Sequence, residues 1–86
     1  MDYYLILARS VTYAQRMQRV LERAGIRCRI ARAPRELTDL GCAYTVRLAV
    51  QDLTQALIVL HRESLDPVQI FLNERGVIQE VAHDLS

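Results

Sequence analysis

Cys42 is the residue whose sequence context best suits it to chemistry. It directly follows Gly41 at the end of a polar, arginine-bearing loop, and it precedes an alternating segment that predicts a strand. A cysteine at a strand mouth is accessible, and a reactive thiol needs access because its thiolate is the nucleophile. We therefore expect Cys42 to be the reactive thiol of the chain. The alternative is a small core residue, since free cysteines are commonly buried.

Cys28 has a different context. It alternates with Ile26 and Ile30 in a segment whose other positions are arginines, which predicts an inward-facing core thiol on a half-buried strand. The chain begins without the charged and apolar regions of a signal peptide, so we expect a cytoplasmic protein with reduced thiols and no structural disulfide.

Other constellations of functional residues are weak in this sequence. His61 and His83 are isolated, and neither cysteine has a partner at metal-ligand spacing, so no metal site is predicted. There is no glycine-rich phosphate loop and no Ser/His/Asp pattern, so we expect a protein without a cofactor and without independent catalysis.

Nucleic acid is not the expected partner either. Some RNA-binding domains use an open sheet face, and three arginines are predicted on such a face here, but that mode also needs stacking aromatic residues. The arginines in question are Arg27, Arg29 and Arg47, and the only candidate stacking residues are Tyr3 and Phe71.

Length and composition indicate one small globular domain. The chain has 86 residues, of which 51% are hydrophobic and 24% charged, and its apolar runs are far shorter than the roughly 20 residues of a membrane span. Charge is divided unevenly: residues 1–47 hold nine Arg and four acids, whereas residues 48–86 hold two Arg and six acids. The basic first half is a candidate docking surface for an acidic partner.

Periodicity and turn residues predict two helices and four or five strands. Ser10 is a typical N-cap and Gly25 a typical stop for the first helix, and Asp52 with Gln55 suggests a capping box for the second. Residues 77–82 form either a short fifth strand or an appended arm. The predicted strands are residues 3–8, 26–31, 43–50 and 68–72, and the predicted helices follow Ser10 and span residues 53 to about 63.

This βαββαβ order predicts an α+β, ferredoxin-like two-layer sandwich with antiparallel sheet order 4-1-3-2. The third strand then starts beside the end of the first strand and the start of the first helix, which brings Cys42 toward three helix-start residues. The positive helix terminus and nearby arginines would favour its thiolate. If residue 31 pairs with residue 42, Cys28 faces Thr45. The residues expected around the thiol are Ser10, Val11, Thr12, Arg9, Arg32 and Arg35.

Several short motifs together resemble a family of small bacterial domains, the selenium/sulfur (Se/S) carrier protein-like family. The resemblance covers residues 3 to about 72, and the segment after it, residues 73–86, is a C-terminal extension. The motifs that carry it are Tyr3-Tyr4-Leu5, Leu21-Glu-Arg-Ala-Gly25-Ile26, Ala33-Pro34-Arg35-Glu36-Leu37 and Gly41-Cys42-Ala43-Tyr44-Thr45-Val46-Arg47.

This resemblance implies a thiol that holds sulfur or selenium and exchanges it with donor and acceptor proteins. The matching positions are Pro34, Arg35, Gly41 and Cys42. Many members of the family also have glycine after the cysteine, whereas this chain has Ala43, which closes backbone conformations that glycine permits.

A binding or assembly module without thiol chemistry is the second hypothesis. Both faces of the first strand are apolar, with Leu5 and Leu7 on one face and Tyr4 and Ile6 on the other. One face would be left uncovered by the helices, and an uncovered apolar patch favours a homodimer. Residues 77–82 are a candidate cover for that face.

Overall fold

The computed structural model describes residues 2–37 and 44–81. Within them the fold is α+β, as predicted, with two helices and one antiparallel sheet. Two short 3-10 helices, Arg35–Leu37 and Val50–Asp52, lie before the third strand and the second helix. The elements in chain order are β1 (Tyr3–Ala8), α1 (Val11–Arg23), β2 (Cys28–Arg32), β3 (Tyr44–Ala49), α2 (Leu53–Arg62), β4 (Gln69–Glu74) and β5 (Val77–Val81).

The sheet has five strands in the order β2-β3-β1-β4-β5 and not four. Its first four strands keep the predicted order 4-1-3-2, read from the opposite edge, and β5 is added outside β4, so β5 and not β4 forms one edge. The reason is a tight turn after β4, where Arg75 and Gly76 both have positive φ (54° and 83°) and return the chain as a hairpin. The ferredoxin-like description therefore fits only loosely, and residues 77–81 form a strand and not an arm.

β1 is the central strand and is covered on both faces. On the helix side, Ile6 and Ala8 are fully buried against α1 and α2, together with Val46 of β3 and Ile70 of β4. Burial of an aliphatic side chain of this size contributes about 1.5–3 kcal/mol. This face is the main core of the molecule.

The opposite face of the sheet holds a second apolar cluster. Leu5, Leu7 and Phe71 are 5–7% exposed. The cover comes partly from β5, as predicted, and partly from the loop between β2 and β3; the covering residues are Ala33, Leu37 and Ile78, with Tyr3 beside them. The apolar set that suggested a homodimer is thus buried within a single chain.

α1 begins and ends as the sequence predicts. The Ser10 hydroxyl accepts a hydrogen bond from the Tyr13 amide at 3.1 Å. At the other end Gly25 has φ +85°, and the Ile26 amide donates to Leu21 O at 2.9 Å while the Gly25 amide donates to Glu22 O at 3.0 Å. This pattern is a Schellman motif.

α2 departs from its predicted start. Asp52 has helical backbone angles (φ −96°, ψ −5°) and makes no side-chain cap bond, because the 3-10 helix Val50–Asp52 continues directly into α2. An N-cap side chain reaches the helix amides only from an extended backbone. The capping box predicted for Asp52 and Gln55 was therefore wrong.

α2 ends in a second Schellman motif, but without glycine. Ser64 adopts φ +58°, and the Leu65 amide donates to Leu60 O at 2.8 Å. A residue with a Cβ is disfavoured in this left-handed conformation.

None of the helices in the described residues is long and apolar enough to cross a membrane.

Replacing Ser64 by glycine should stabilise the protein. The substitution removes the left-handed backbone penalty, and after the extra chain entropy of glycine the expected gain in unfolding free energy is about 0.5–1 kcal/mol. Urea denaturation followed by circular dichroism measures it. Ser64→Ala is the control: it keeps the Cβ and should give no gain, so equal effects of the two substitutions would contradict this explanation.

Candidate functional site

The entrance to β3 is the part of the predicted thiol site that the structure describes. Cys42 and Gly41 lie outside the described residues. Tyr44, the first residue of β3, pairs with Ala8 at the end of β1 on one side and with Arg32 at the end of β2 on the other. The chain therefore enters β3 beside the β1 end that leads into α1.

The start of α1 gives this edge of the sheet a positive potential. The first turn of α1 contains no acidic residue, so the partial positive charge of the helix terminus is not offset there. The Arg9 guanidinium carbon lies 5.2 Å from the centroid of the Tyr13 ring. Leaving aside Glu36, whose side chain the structure does not describe, no carboxylate oxygen of residues 2–37 and 44–81 lies within 4 Å of the guanidinium groups of Arg9 or Arg32.

The other predicted neighbours of the thiol are placed unequally. Ser10 is half-buried and uses its hydroxyl to cap α1, and Thr12 is exposed in the first turn. Arg35 is exposed too, but it begins a 3-10 helix whose Leu37 packs on the face of the sheet away from the helices. The structure thus groups Arg9, Thr12 and Arg32 near one edge and assigns Arg35 to a segment on the opposite face.

Cys28 is tied to α1 through two contacts with one residue. The thiol Sγ donates to Gln18 O at 3.8 Å, and Gln18 Nε2 donates to Cys28 O at 3.4 Å. The side chain packs against the main core and is half-buried. Cys28 therefore faces inward, as predicted, and joins the edge strand to the helix above it.

The surroundings of Cys28 hold its thiol in the protonated form. Burial, and after it the negative charge of Glu22, raises the pKa of Cys28 from 9.0 to about 11. The contact with Gln18 O acts in the same direction because only the protonated sulfur can donate. Cys28 is thus a poor nucleophile near neutral pH.

The predicted pairing of β2 with β3 was wrong by three positions. Ala31 pairs with Thr45, and Cys28 pairs with Leu48, not with Thr45. The Thr45 hydroxyl, which is buried, donates to Ala31 O at 3.2 Å and helps to hold this alignment. The loop does not close as a simple hairpin because its 3-10 helix packs across the sheet.

The described part of the chain contains no cluster of possible metal ligands. Within residues 2–37 and 44–81 there is no group of three or more His, Cys, Asp or Glu side chains able to hold a metal ion. His61, in the last turn of α2 as predicted, contacts Asp66 with 2.9 Å between Nδ1 and Oδ1.

Comparison with known proteins gives one match. The family model described as "Putative Se/S carrier protein-like" matches residues 3–72, which is most of the chain. The chain belongs to this Se/S carrier-like family. No curated protein and no solved structure matches it significantly.

The Se/S carrier-like match ends within β4 and excludes β5. In the structure, β5 pairs along its whole length with β4, from Val77 opposite Glu74 to Val81 opposite Ile70. Residues 77–81, predicted as part of an extension, thus belong to the same sheet as the matched region.

Sequence reasoning missed the role of Gln18 in this Se/S carrier-like domain. Its side-chain amide donates to the carbonyl of Cys28 on an edge strand. The available signal was its 3.6-residue periodicity relative to Leu21 and Met17, which places it at the border of the apolar stripe. That pattern alone does not specify Cys28 as the partner.

Cys28 should react slowly with alkylating agents until the pH is strongly alkaline. In Cys42→Ser, where Cys28 is the remaining cysteine, the iodoacetamide rate should rise with pH and reach half of its maximum near pH 11. The same variant in urea is the control, and its midpoint should fall to the ordinary value near 9. Fast labelling of the folded variant at pH 7 would contradict the assigned environment.

The same pKa shift predicts how stability depends on pH. The folded state keeps the Cys28 proton to higher pH than the unfolded state, so the contribution of this thiol is complete below pH 9 and is lost as the pH rises toward about 11. We expect the stability difference between wild type and Cys28→Ala to shrink over that interval in urea denaturation. A difference that grows with pH would contradict it.

Proposed function

We propose that this protein carries sulfur or selenium as a persulfide or selenosulfide on Cys42 and passes it between partner proteins. The observation that supports this most strongly is membership of the Se/S carrier-like family over residues 3–72, a range that includes Gly41 and Cys42. The protein acts as a relay and needs no cofactor and no catalysis of its own.

The geometry at the entrance to β3 supports a low pKa for the carrier thiol. Cys42 is two residues before Tyr44, and Tyr44 pairs with Ala8, from which only Arg9 and Ser10 separate α1. A thiolate or persulfide anion in this region is stabilised by a helix start without acidic residues and by Arg9 and Arg32.

The state of Cys28 supports the choice between the two cysteines. Its thiol already donates to a backbone oxygen, and its pKa is raised to about 11. At pH 7 almost none of it is thiolate, so it cannot compete for a sulfur donor. The pairing of Cys28 with Leu48, six positions after Cys42, also argues against a disulfide between the two.

The proposed loading step is an exchange without net oxidation. The Cys42 thiolate attacks the terminal sulfur of a donor persulfide, R–S–SH, and forms a new S–S bond while the donor S–S bond breaks. The donor leaves as a thiolate and takes up the proton that Cys42 released. Transfer to an acceptor repeats the exchange: an acceptor thiolate attacks the terminal sulfur, the Cys42 S–S bond breaks, and Cys42 leaves as a thiolate. Selenium in place of the terminal sulfur requires the same groups.

The positive charge of the first half of the chain indicates which surfaces its partner proteins should present. The first 47 residues carry an excess of five positive charges, nine Arg against four acids, and the arginines near the β3 entrance belong to this half. Donor and acceptor proteins that dock there should present acidic surfaces.

Intact-protein mass after exposure to a persulfide donor tests the cargo and its site together. The wild type and Cys28→Ser should each gain one sulfur atom, and Cys42→Ser should gain none, because the raised pKa of Cys28 keeps its thiol protonated near neutral pH. Subsequent reduction with dithiothreitol should remove the added mass. Equal loading of the two single variants would defeat the assignment to Cys42.

The electrostatic support for the carrier thiol can be tested separately. In a Cys28→Ser background, replacing Arg9 and Arg32 by Gln should slow iodoacetamide labelling of Cys42 at pH 7 by roughly two- to fivefold, the size of exposed charge effects of about 0.2–1 kcal/mol. Replacing Arg16 and Arg19, both exposed on α1, by Gln makes the same change in net charge and is the control. Equal slowing by both pairs would rule out a local effect.

A further inference from the structure

A second site is indicated at the other end of β3, where a groove of about 840 Å³ borders the sheet. The first residues of β1 and β2 and the last residues of β3 line it, among them Tyr3, Arg29 and Arg47. Its volume lies within the range of small-molecule sites. The groove uses none of the residues assigned to the carrier thiol.

Two arginines occupy directly paired positions on adjacent strands at this groove. Arg29 of β2 pairs with Arg47 of β3, and both side chains are exposed. Residues directly opposite in an antiparallel pair have Cβ atoms about 4.5–5.5 Å apart, where like charges destabilise the sheet. Among the side chains that the structure describes, those of residues 2–35, 37 and 44–81, no carboxylate oxygen lies within 4 Å of either guanidinium group.

Arg47 is held in place by an aromatic platform. Its guanidinium carbon lies 3.7 Å from the centroid of the Tyr3 ring, a close cation–π contact. The Tyr3 hydroxyl accepts a hydrogen bond from Asn73 Nδ2 at 2.9 Å, and Asn73 is the β4 residue paired with Tyr3. The hydrogen bond from β4 therefore fixes the Tyr3 ring, and the ring in turn fixes the Arg47 guanidinium. This lowers the entropy that the guanidinium loses when it binds a ligand.

We propose that Arg29 and Arg47 form a binding site for a small molecule bearing a compact oxyanion such as a phosphate group. Two planar guanidinium groups on adjacent strands match the several acceptor oxygens of such a group. The bound anion would relieve the repulsion between the arginines. Arg27, which also lines the groove, adds positive charge.

The acidic residues that line the groove restrict what can follow the anionic group. Asp2, Glu22 and Asp52 line the groove as well, so its charge is balanced overall. An extended polyanion such as RNA would meet these carboxylates, whereas a single oxyanion with a neutral or cationic remainder would not. A small molecule is therefore favoured over a nucleic acid.

Titration with inorganic phosphate at constant ionic strength, followed by amide chemical shifts, tests the site. The saturable shifts should concentrate at Tyr3, Arg29 and Arg47, and Arg47→Gln should weaken binding roughly tenfold or more. Arg16→Gln, an exposed substitution on α1 with the same charge change, should leave the affinity unchanged. No saturable shift at these residues, or equal weakening by Arg16→Gln, would overturn the proposal.

Thermal stability gives a second readout that does not depend on the affinity measurement. Without phosphate, Arg29→Gln should raise the melting temperature by roughly 1–5 °C because it removes like-charge repulsion. With phosphate, the wild type should gain stability and Arg29→Gln should not. A lower melting temperature of Arg29→Gln in phosphate-free buffer, or tighter binding of a single-stranded oligonucleotide than of phosphate, would overturn it.

Discussion

The two-sided pairing of β1 is the constraint on which the rest of the structure depends. β1 hydrogen-bonds to β3 and β4, and it buries apolar side chains on both faces, Ile6 toward the helices and Leu5 toward the second cluster. A shift of one residue would exchange the two sets. The observed alignment sets Tyr44 beside Ala8 and Ala49 beside Tyr3, so it fixes which residues meet at each end of the sheet.

The two ends of β3 each lie near arginine residues but have different surroundings. At its start, Tyr44 lies beside the strand that leads into α1, where a helix terminus and Arg9 supply the positive potential. Near its end, Arg47 lies over Tyr3 and opposite Arg29. Arg47 is three positions after Tyr44, about 10 Å along the strand, so the two regions are separated on one element of the sheet.

Local signals in the sequence predicted most elements but not how they align. β1, the cap at Ser10, the stop at Gly25 and the facing of β3 follow from periodicity and cap chemistry, which act over a few residues. The β2–β3 register was missed, and the choice between a fifth strand and an arm was left open, because they depend on where Leu37 packs and on the turn at Arg75. Those contacts join residues that no short pattern relates.

In the candidate site, too, the sequence predicted local features but not those that depend on packing between distant residues. The inward direction of Cys28 was predictable from its alternation with Ile30, but the raised pKa of its thiol was not, since that depends on Gln18 and Glu22 of a helix packed above it. The entrance to β3 was predictable because antiparallel connections leave few arrangements for it. The separation of Arg35 from Arg9 was not, because it follows from the packing of a 3-10 helix.

The sheet face away from the helices combines a stabilising apolar cluster with a destabilising pair of like charges. On the face away from the helices, Leu5, Leu7 and Phe71 are buried as a stable sheet requires, yet Arg29 and Arg47 on that same face oppose each other. Like charges directly opposite in a sheet are unfavourable, whereas the apolar cluster beside them is favourable. Departures of this kind from the rules of folding are expected at functional positions more than elsewhere.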